Sequence, residues 1–224
     1  NVLNDINLYY INYFVKIMNQ KNSLGLDICF KDLDNPIVLF KEWFEKAKKT
    51  EINDPNALSL ATSDNKGVPS VRMVLLKNFN EQEFTFYTNL NSKKSDDLTQ
   101  NPNASMCFHW KSLKRQIRIS GSVTKVSDEI ADKYYSSRSY RSKIGAWASN
   151  QSSTLNNREE LFKSIEKFQK KFSDKSNIPR PNYWSGWNLK PIEIEFWLQI
   201  EDRLHERLKY KKKNEIWSKF LLNP

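Results

Sequence analysis

Between residues 36 and 50 apolar positions recur every three or four residues, so that Phe40, Trp43, Phe44 and Ala47 form one stripe. That period belongs to an amphipathic helix whose stripe is core. Asn35 is placed to cap it, with Pro36 at the first helical position. From Ala57 the period falls to two. Strands are predicted over 57–63 and 68–77, joined by Asp64-Asn65-Lys66-Gly67 in a hairpin. Further strands are predicted over 83–88, 104–110 and 116–126, with a short helix starting near Ser92. A helical region follows from Ser127 to about Trp147. A second helix over 156–172 carries Leu161, Phe162, Ile165, Phe168 and Phe172 on one side. Three last strands are predicted over 191–198, 203–211 and 215–221.

Short strands joined by short turns, without long helices between them, point to an antiparallel sheet closing into a barrel. No GxGxxG or Walker sequence argues for a parallel nucleotide-binding sheet instead. The class is mainly β with helices, α+β. At 224 residues the chain can bury a real core. It divides into a helical or irregular segment over 1–35 and a main domain over 36–224.

Composition adds a net charge of +10, which raises the question of nucleic acid. Much of the surplus is lysine interleaved with acids, as over 162–171, the pattern of a solvated helix face. Small phosphorylated ligands use the same charge more locally, and no nucleic-acid partner is expected. The apolar runs are too short to cross a bilayer, and Asn1 to Lys16 carries Asp5 and several asparagines where a signal peptide needs an apolar stretch. A soluble, cytoplasmic protein is expected, with no membrane partner. Cys29 and Cys107 form no CxxC pair and read as buried thiols in a reducing compartment. His109 and His205, the only histidines, have no ligand spacing, so no metal is expected.

Three clusters carry candidate chemistry. In RMVLLK, Arg72 to Lys77, an apolar run is closed at both ends by a cation. If the strand is buried on both faces those charges need partners; the alternative is that each snorkels to water. The next segment, FYTNLNSKK, ends a strand at Tyr87 and Thr88 and opens a helix with Ser92, Lys93 and Lys94, a natural phosphate site. In RLHER a strand would put Arg203, His205 and Arg207 on one face, which implies an anion, an electron-rich ring or open water there. In the run from Lys133 to Ser153, a helix would align Tyr134, Arg138 and Ser142, offering a phenol, a guanidinium and a hydroxyl to a second anion. An ordinary amphipathic helix has the same pattern. Gln151, Ser152 and Ser153 add uncharged donors or a capping turn.

RMVLLK, FYTN with SKK, RQIRISG, SKIGAWAS followed by QSS, PNYWSGW, IEFW and RLHER occur here in one order. In that order they resemble the pyridoxine/pyridoxamine 5'-phosphate oxidases, from about Pro36 to the carboxyl terminus. Several separate motifs in register are far more specific than one. The resemblance implies a split antiparallel β-barrel with flanking helices. It further implies FMN as cofactor and a homodimer with FMN at the interface. The activity implied is oxidation of pyridoxamine 5'-phosphate and pyridoxine 5'-phosphate to pyridoxal 5'-phosphate, with O2 reduced to hydrogen peroxide.

The resemblance also implies the site residues. FMN would be held by Arg72, Met73, Val74, Leu75, Leu76, Lys77, Tyr87, Thr88, Lys93, Lys94 and Gln116, with Gln151, Ser152, Trp197 and Arg207 from the other subunit. The substrate phosphate would meet Lys77, Tyr134, Arg138 and Ser142. Arg203, Leu204 and His205 would contact the substrate, with Arg203 and His205 flanking the ring as the catalytic pair. Ser92-Lys93-Lys94 departs from the Ser-Arg-Lys frequent in the family, replacing a bidentate fork by a point charge. The family's amino-terminal Arg and Tyr that close over substrate have no counterpart before Pro36, and Leu221-Leu222-Asn223-Pro224 lacks the Arg usual near the end. Two rival readings are an oxidase of the same fold acting on another ring, as in phenazine pathways, and a non-catalytic binder of FMN or pyridoxal phosphate.

Overall fold

A computed structural model of the chain describes residues 21–174 and 177–224. The expected segment 1–35 lies outside the described residues as far as residue 20; from Lys21 to Asn35 the chain runs in turns and bends, with one bridge between Lys21 and Asp27. Among the described residues are five α-helices and nine strands, and the first strand pairs with the second and fifth, the third with the fourth, the fourth with the seventh, the seventh with the eighth and the eighth with the ninth, all antiparallel. The fold is α+β, as the sequence pattern predicts.

Two compact units share the chain. One comprises the residues up to Pro55, His109–Ile117 and Glu193–Pro224; the other comprises Asn56–Phe108 and Arg118–Ile192.

In the first unit, helix α1 (Pro36–Thr50) starts as expected: the Asn35 side chain accepts the Ile37 amide, and Phe40, Trp43, Phe44 and Ala47 are all buried. Trp43 packs edge-on against Phe196 at 5.2 Å and carries the Arg115 guanidinium over its ring at 4.6 Å. Cys29 and Cys107 are half-buried rather than buried, and desolvation still pushes the Cys29 thiol up to about 12.

A curled sheet, most of it in the second unit, runs in the order β2-β1-β5-β6-β7-β4-β3. Its members are β1 (Ala57–Ser63), β2 (Pro69–Leu75), β3 (Asn78–Phe79), β4 (Phe84–Asn89), β5 (Asn103–Trp110), β6 (Arg115–Lys125) and β7 (Trp184–Leu198). The β1–β2 hairpin closes where expected: Asp64 Oδ1 accepts the Lys66 and Val68 amides, and Gly67 takes φ +79°. Strand β2 is not buried on both faces. Val71, Met73 and Leu75 are exposed, while Arg72 and Val74 are half-buried on the opposite side, so only one face of β2 is covered within the chain. Gly121 on β6 explains the glycine of RQIRISG: a Cβ there would lie 1.9 Å from the Lys190 carbonyl oxygen.

Three predicted elements are corrected. The helical region from Ser127 is two helices, α3 (Asp128–Ser136) and α4 (Tyr140–Ala148), broken at residues 137–139; Ser139 caps α4 by accepting the Ser142 amide. The next helix, α5 (Arg158–Lys171), forms where expected, with its apolar side at most half-buried, and Phe168 and Phe172 pack on Trp147 at 5.5 and 5.3 Å. RLHER is not a strand throughout. Asp202 and Arg203 take φ +54° and +62° within a 3₁₀ turn, and β8 (Glu206–Lys213) begins only after His205, so the period-two face is lost. Strand β9 (Ile216–Leu221) pairs with β8. β7 starts seven residues earlier than Pro191; that proline falls between the residues paired with β4, Trp184 to Leu189, and those paired with β8, Glu193 to Leu198.

Candidate active site

In the second unit, β4 runs out at Asn89 and the chain turns at once into helix α2 (Lys93–Gln100). The turn is pinned by its own hydroxyls: Ser92 Oγ and Ser95 Oγ donate to the Asn89 carbonyl at 2.7 and 3.1 Å. This packing draws the Lys94 side chain inward. Its ammonium donates to Thr88 Oγ1, Ser92 Oγ and Gln151 Oε1, each at 3.0 Å, and the residue is only 8% exposed. Among the described residues no carboxylate pairs with it. Burial, and secondarily the nearby Arg72 charge, pull the lysine down to about 8. A buried ammonium satisfied only by neutral oxygens is costly, and an arriving anion removes that cost.

Lys93, one residue earlier, points elsewhere. It is exposed and ion-paired with the buried Asp97, whose hydrogen bond raises the lysine's pKa. Asp97 also accepts Thr62 Oγ1 at 2.7 Å and lies 3.8 Å from Arg72 Nη2. Burial pushes the Asp97 carboxyl up, but the Lys93 and Thr62 hydrogen bonds outweigh it and leave the group below its ordinary value. Arg72 Nη1 further donates to Thr62 Oγ1 and the Leu60 carbonyl. Arg72 and Lys93 are thus already compensated where Lys94 is not.

A cavity of about 660 Å³ opens beside Lys94, a size suited to a cofactor and a small substrate. It brings together Met73, Val74, Leu75, Lys77, Tyr87, Thr88, Lys94, Tyr134, Arg138, Ser142 and Gln151 from the predicted set. Arg72, Leu76, Lys93 and Ser152 do not line it; Leu76 is buried at 4% exposure and Ser152 is exposed at φ +71°. Its lining carries three cations, Lys77, Lys94 and Arg138, and no carboxylate, which makes it a receptor for anions. The Tyr87 ring stacks on Tyr134 at 3.9 Å and lies parallel to Trp184 at 5.4 Å. Gly186, paired with Tyr87 across the strands, leaves room for that ring: a Cβ there would be 2.7 Å from Tyr87 Cδ1.

Tyr134, Arg138 and Ser142 meet in this cavity, though not by sharing a helix face. Tyr134 lies in the last turn of α3, Arg138 in the break, and Ser142 in the first turn of α4. Arg138 Nη1 is buried without a hydrogen-bond partner, and desolvation lowers the group's pKa. Trp184, Asn89, Ser149, Gly145 and Ala146 also line the cavity; they lie within or beside the PNYWSGW, FYTN and IGAWAS motifs, but their own residue types carry no local charge signal.

The remaining predicted residues belong to the first unit. His205 Nδ1 accepts the Ile200 amide at 3.3 Å, so the neutral ring carries its proton on Nε2, and the ring lies 4.6 Å from Trp197. Arg203 and Leu204 are exposed on the turn. Arg207 donates to Glu195 through Nε at 2.9 Å and to the Asn223 carbonyl through Nη1 at 3.0 Å, holding the last residues of the chain. Gln116 is half-buried on β6.

Comparison with known proteins agrees with this geometry. The family model described as Pyridoxamine 5'-phosphate oxidase matches residues 44–172, and that of the Pyridoxine 5'-phosphate oxidase C-terminal dimerisation region matches residues 184–224. A pyridoxine/pyridoxamine 5'-phosphate oxidase of Pelagibacter ubique is 64% identical over 208 residues, covering 92% of this chain and 100% of its own. One from Chelativorans is 48% identical over 196 residues, covering 87% and 93%. Among solved structures, PhzG from Burkholderia lata in complex with tetrahydrophenazine-1-carboxylic acid superposes with a TM-score of 0.81 at 31% identity, over 87% of this chain and 95% of that one. A pyridoxamine 5'-phosphate oxidase-related, FMN binding protein from Nostoc punctiforme shares the fold, with a TM-score of 0.69 at 18% identity over 87% and 100%. With both family regions in sequence order and a relative matched over its whole length, the chain belongs to the pyridoxine/pyridoxamine 5'-phosphate oxidase family.

Proposed function

We propose that the protein oxidises pyridoxamine 5'-phosphate and pyridoxine 5'-phosphate to pyridoxal 5'-phosphate with FMN as cofactor and O2 as final acceptor, releasing hydrogen peroxide. The observation that carries this reading is the carboxylate-free cavity with two separate anion-seeking groups, the buried Lys94 ammonium and the partnerless Arg138 Nη1. Two phosphate esters, one on the cofactor and one on the substrate, account for both.

Bound there, FMN supplies the two-electron acceptor. The chain's own residues supply orientation and charge. Lys94, with Thr88 and Gln151 around it, is assigned to the cofactor phosphate, and Met73, Val74 and Leu75 to the ring wall. Arg138, Tyr134, Ser142 and Lys77 are assigned to the substrate phosphate. Holding the substrate by its phosphate fixes the position of the reacting carbon, which is where such an active site gains most of its rate. Arg203 and His205 are assigned to the two sides of the substrate ring, His205 orienting a polar substituent through Nε2–H.

The C-terminal match to a dimerisation region supports a homodimer. We place FMN at its interface, with Ser152, Trp197 and Arg207 contributed across it, while Gln151 stands beside Lys94 of its own chain; the exposed apolar row Val71, Met73 and Leu75 is consistent with a face covered on assembly. Among the described residues no helix is long and apolar enough to cross a membrane, and thiols rather than a disulfide at Cys29 and Cys107 fit a reducing, cytoplasmic setting.

The structural likeness to PhzG favours a second reading, an oxidase of another ring substrate. A phosphate ester offers Arg138, Tyr134 and Ser142 more acceptor oxygens than the single carboxylate of such a ring, which favours the phosphorylated substrates. The test is an absorption spectrum of the purified protein followed by a peroxide assay with pyridoxamine 5'-phosphate. A yellow protein with about one FMN per chain and substrate-dependent peroxide is expected; a colourless protein that takes up no added FMN overturns the reading.

A further inference from the structure

Arg138 is held in an unusual way for a half-buried guanidinium. No carboxylate among the described residues pairs with it, and its Nη1 makes no hydrogen bond. What it touches are aromatic faces: its Cζ lies 4.7 Å from the Trp184 ring centroid and 5.7 Å from that of Tyr135. A carboxylate would orient the guanidinium by occupying its N–H edge. An aromatic face orients it through the π cloud and leaves the edge available.

Trp184 is itself fixed from several sides. Its carbonyl accepts Arg180 Nη1 at 2.7 Å, and Arg180 is clamped by Asp132 at 2.6 Å and Asp128 at 2.9 Å at the start of α3. Tyr135 meets its ring edge-on at 5.1 Å, Tyr87 lies parallel to it at 5.4 Å, and β4 pairs with it through Asn89. The indole is therefore a rigid platform, while Arg138 sits on three non-helical residues whose backbone alone does not fix a long side chain.

We propose that Trp184 is a positioning residue for the reaction: its indole face holds the Arg138 guanidinium in place with its N–H groups free, so that the substrate phosphate meets a prearranged donor. This rests on the assignment of Arg138 to the substrate phosphate made above.

The test is a double-mutant cycle in the FMN-loaded protein, using Trp184→Met, Trp184→Phe, Arg138→Ala and the combined variants. Affinity for pyridoxal 5'-phosphate is read from the perturbation of the flavin absorbance band, which reports on the site beside the flavin. Met keeps most of the volume and removes the π face, and is expected to weaken binding about tenfold; Phe keeps a smaller face and should cost no more than about threefold. In the Arg138→Ala background both substitutions at 184 should have no further effect. Equal weakening in the two backgrounds means that Trp184 acts independently of Arg138 and overturns the proposal, as does wild-type affinity in Trp184→Met. If Trp184→Met loses its FMN, the Phe cycle decides by the same criterion. Wild-type affinity in Arg138→Ala alone is a different failure, because it removes the phosphate assignment on which the proposal stands.

Discussion

The Lys94 ammonium and the Gln151 carboxamide oxygen meet at 3.0 Å, tying the start of α2 to the segment that follows α4. Neither residue supplies a negative charge, so the contact satisfies hydrogen bonding without neutralising the lysine. Replacing Lys94 with Ala should therefore weaken FMN retention about tenfold or more, the loss of one charge-assisted bond worth roughly 1.5–3 kcal/mol. Quenching of flavin fluorescence on titration into apoprotein measures it; an unchanged dissociation constant would mean that the cofactor phosphate lies elsewhere.

The depressed pKa of the same lysine predicts a pH dependence. With Lys94 brought down to about 8 by burial, the ammonium that attracts phosphate is lost as pH rises through 8, and FMN affinity should decline from pH 7 to pH 9. The stability of the apoprotein should respond with the opposite sign. Between about 8 and the ordinary lysine value the unfolded chain binds a proton that the folded chain does not, so this group's contribution to stability rises with pH there. Titrations and denaturant midpoints at matched pH values check both, with Lys94→Ala flattening each profile.

Arg138→Ala should raise the apparent KM for pyridoxamine 5'-phosphate while FMN stays bound. Removing one charged hydrogen bond to phosphate costs roughly 1.5–3 kcal/mol, about tenfold or more. Steady-state kinetics with parallel flavin content separates the outcomes: if flavin is lost and substrate affinity is untouched, the two anion subsites are exchanged.

Gly186→Ala should destabilise the protein by roughly 1–3 kcal/mol, the usual cost of forcing a methyl group into a packed site. The added carbon would lie 2.7 Å from Tyr87 Cδ1 and 2.8 Å from the Phe86 carbonyl oxygen. The ring can swing away but the backbone cannot, so both the denaturation midpoint and the near-ultraviolet signal of the tyrosine stack should change.

Arg203→Ala should slow anaerobic flavin reduction in single turnovers by roughly a hundredfold, the penalty for misplacing a reacting atom by about 1 Å. His205→Ala should slow it more mildly, because the imidazole orients rather than transfers a proton. Both variants should keep their FMN. Wild-type rates at saturating substrate in both would make this turn structural.

Much of this architecture is legible in the sequence because several signals agree locally. At α1 the Asn35 cap, Pro36 and the apolar stripe point to one answer, and the structure has it. The β1–β2 hairpin is written in Asp64 and Gly67. The departures from expectation share a cause: a periodic pattern in the sequence continues through a point where backbone chemistry interrupts the element. Ser139 with Ser142 three residues on is a helix start inside a run that also fits one helix. At RLHER the alternation is real in the sequence, but Asp202 and Arg203 turn the chain through the left-handed region, which few sequence signals mark for residues other than glycine. The compensation of Lys93 and Arg72 by Asp97 is invisible in sequence for another reason: it depends on Thr62, 35 residues away.

The interruption between α3 and α4 also bears on how this specificity could be altered. In a continuous helix Tyr134 and Ser142 would be about 12 Å apart along the axis, too far for one phosphate to reach both. The three residues Ser137, Arg138 and Ser139 interrupt that helix, and Tyr134 and Ser142 line one cavity, so the grip on the ester depends on a joint as well as on its donors. A lineage could lose its requirement for phosphorylated substrates by straightening this joint with every donor still encoded, and such a loss would escape any inventory of binding residues.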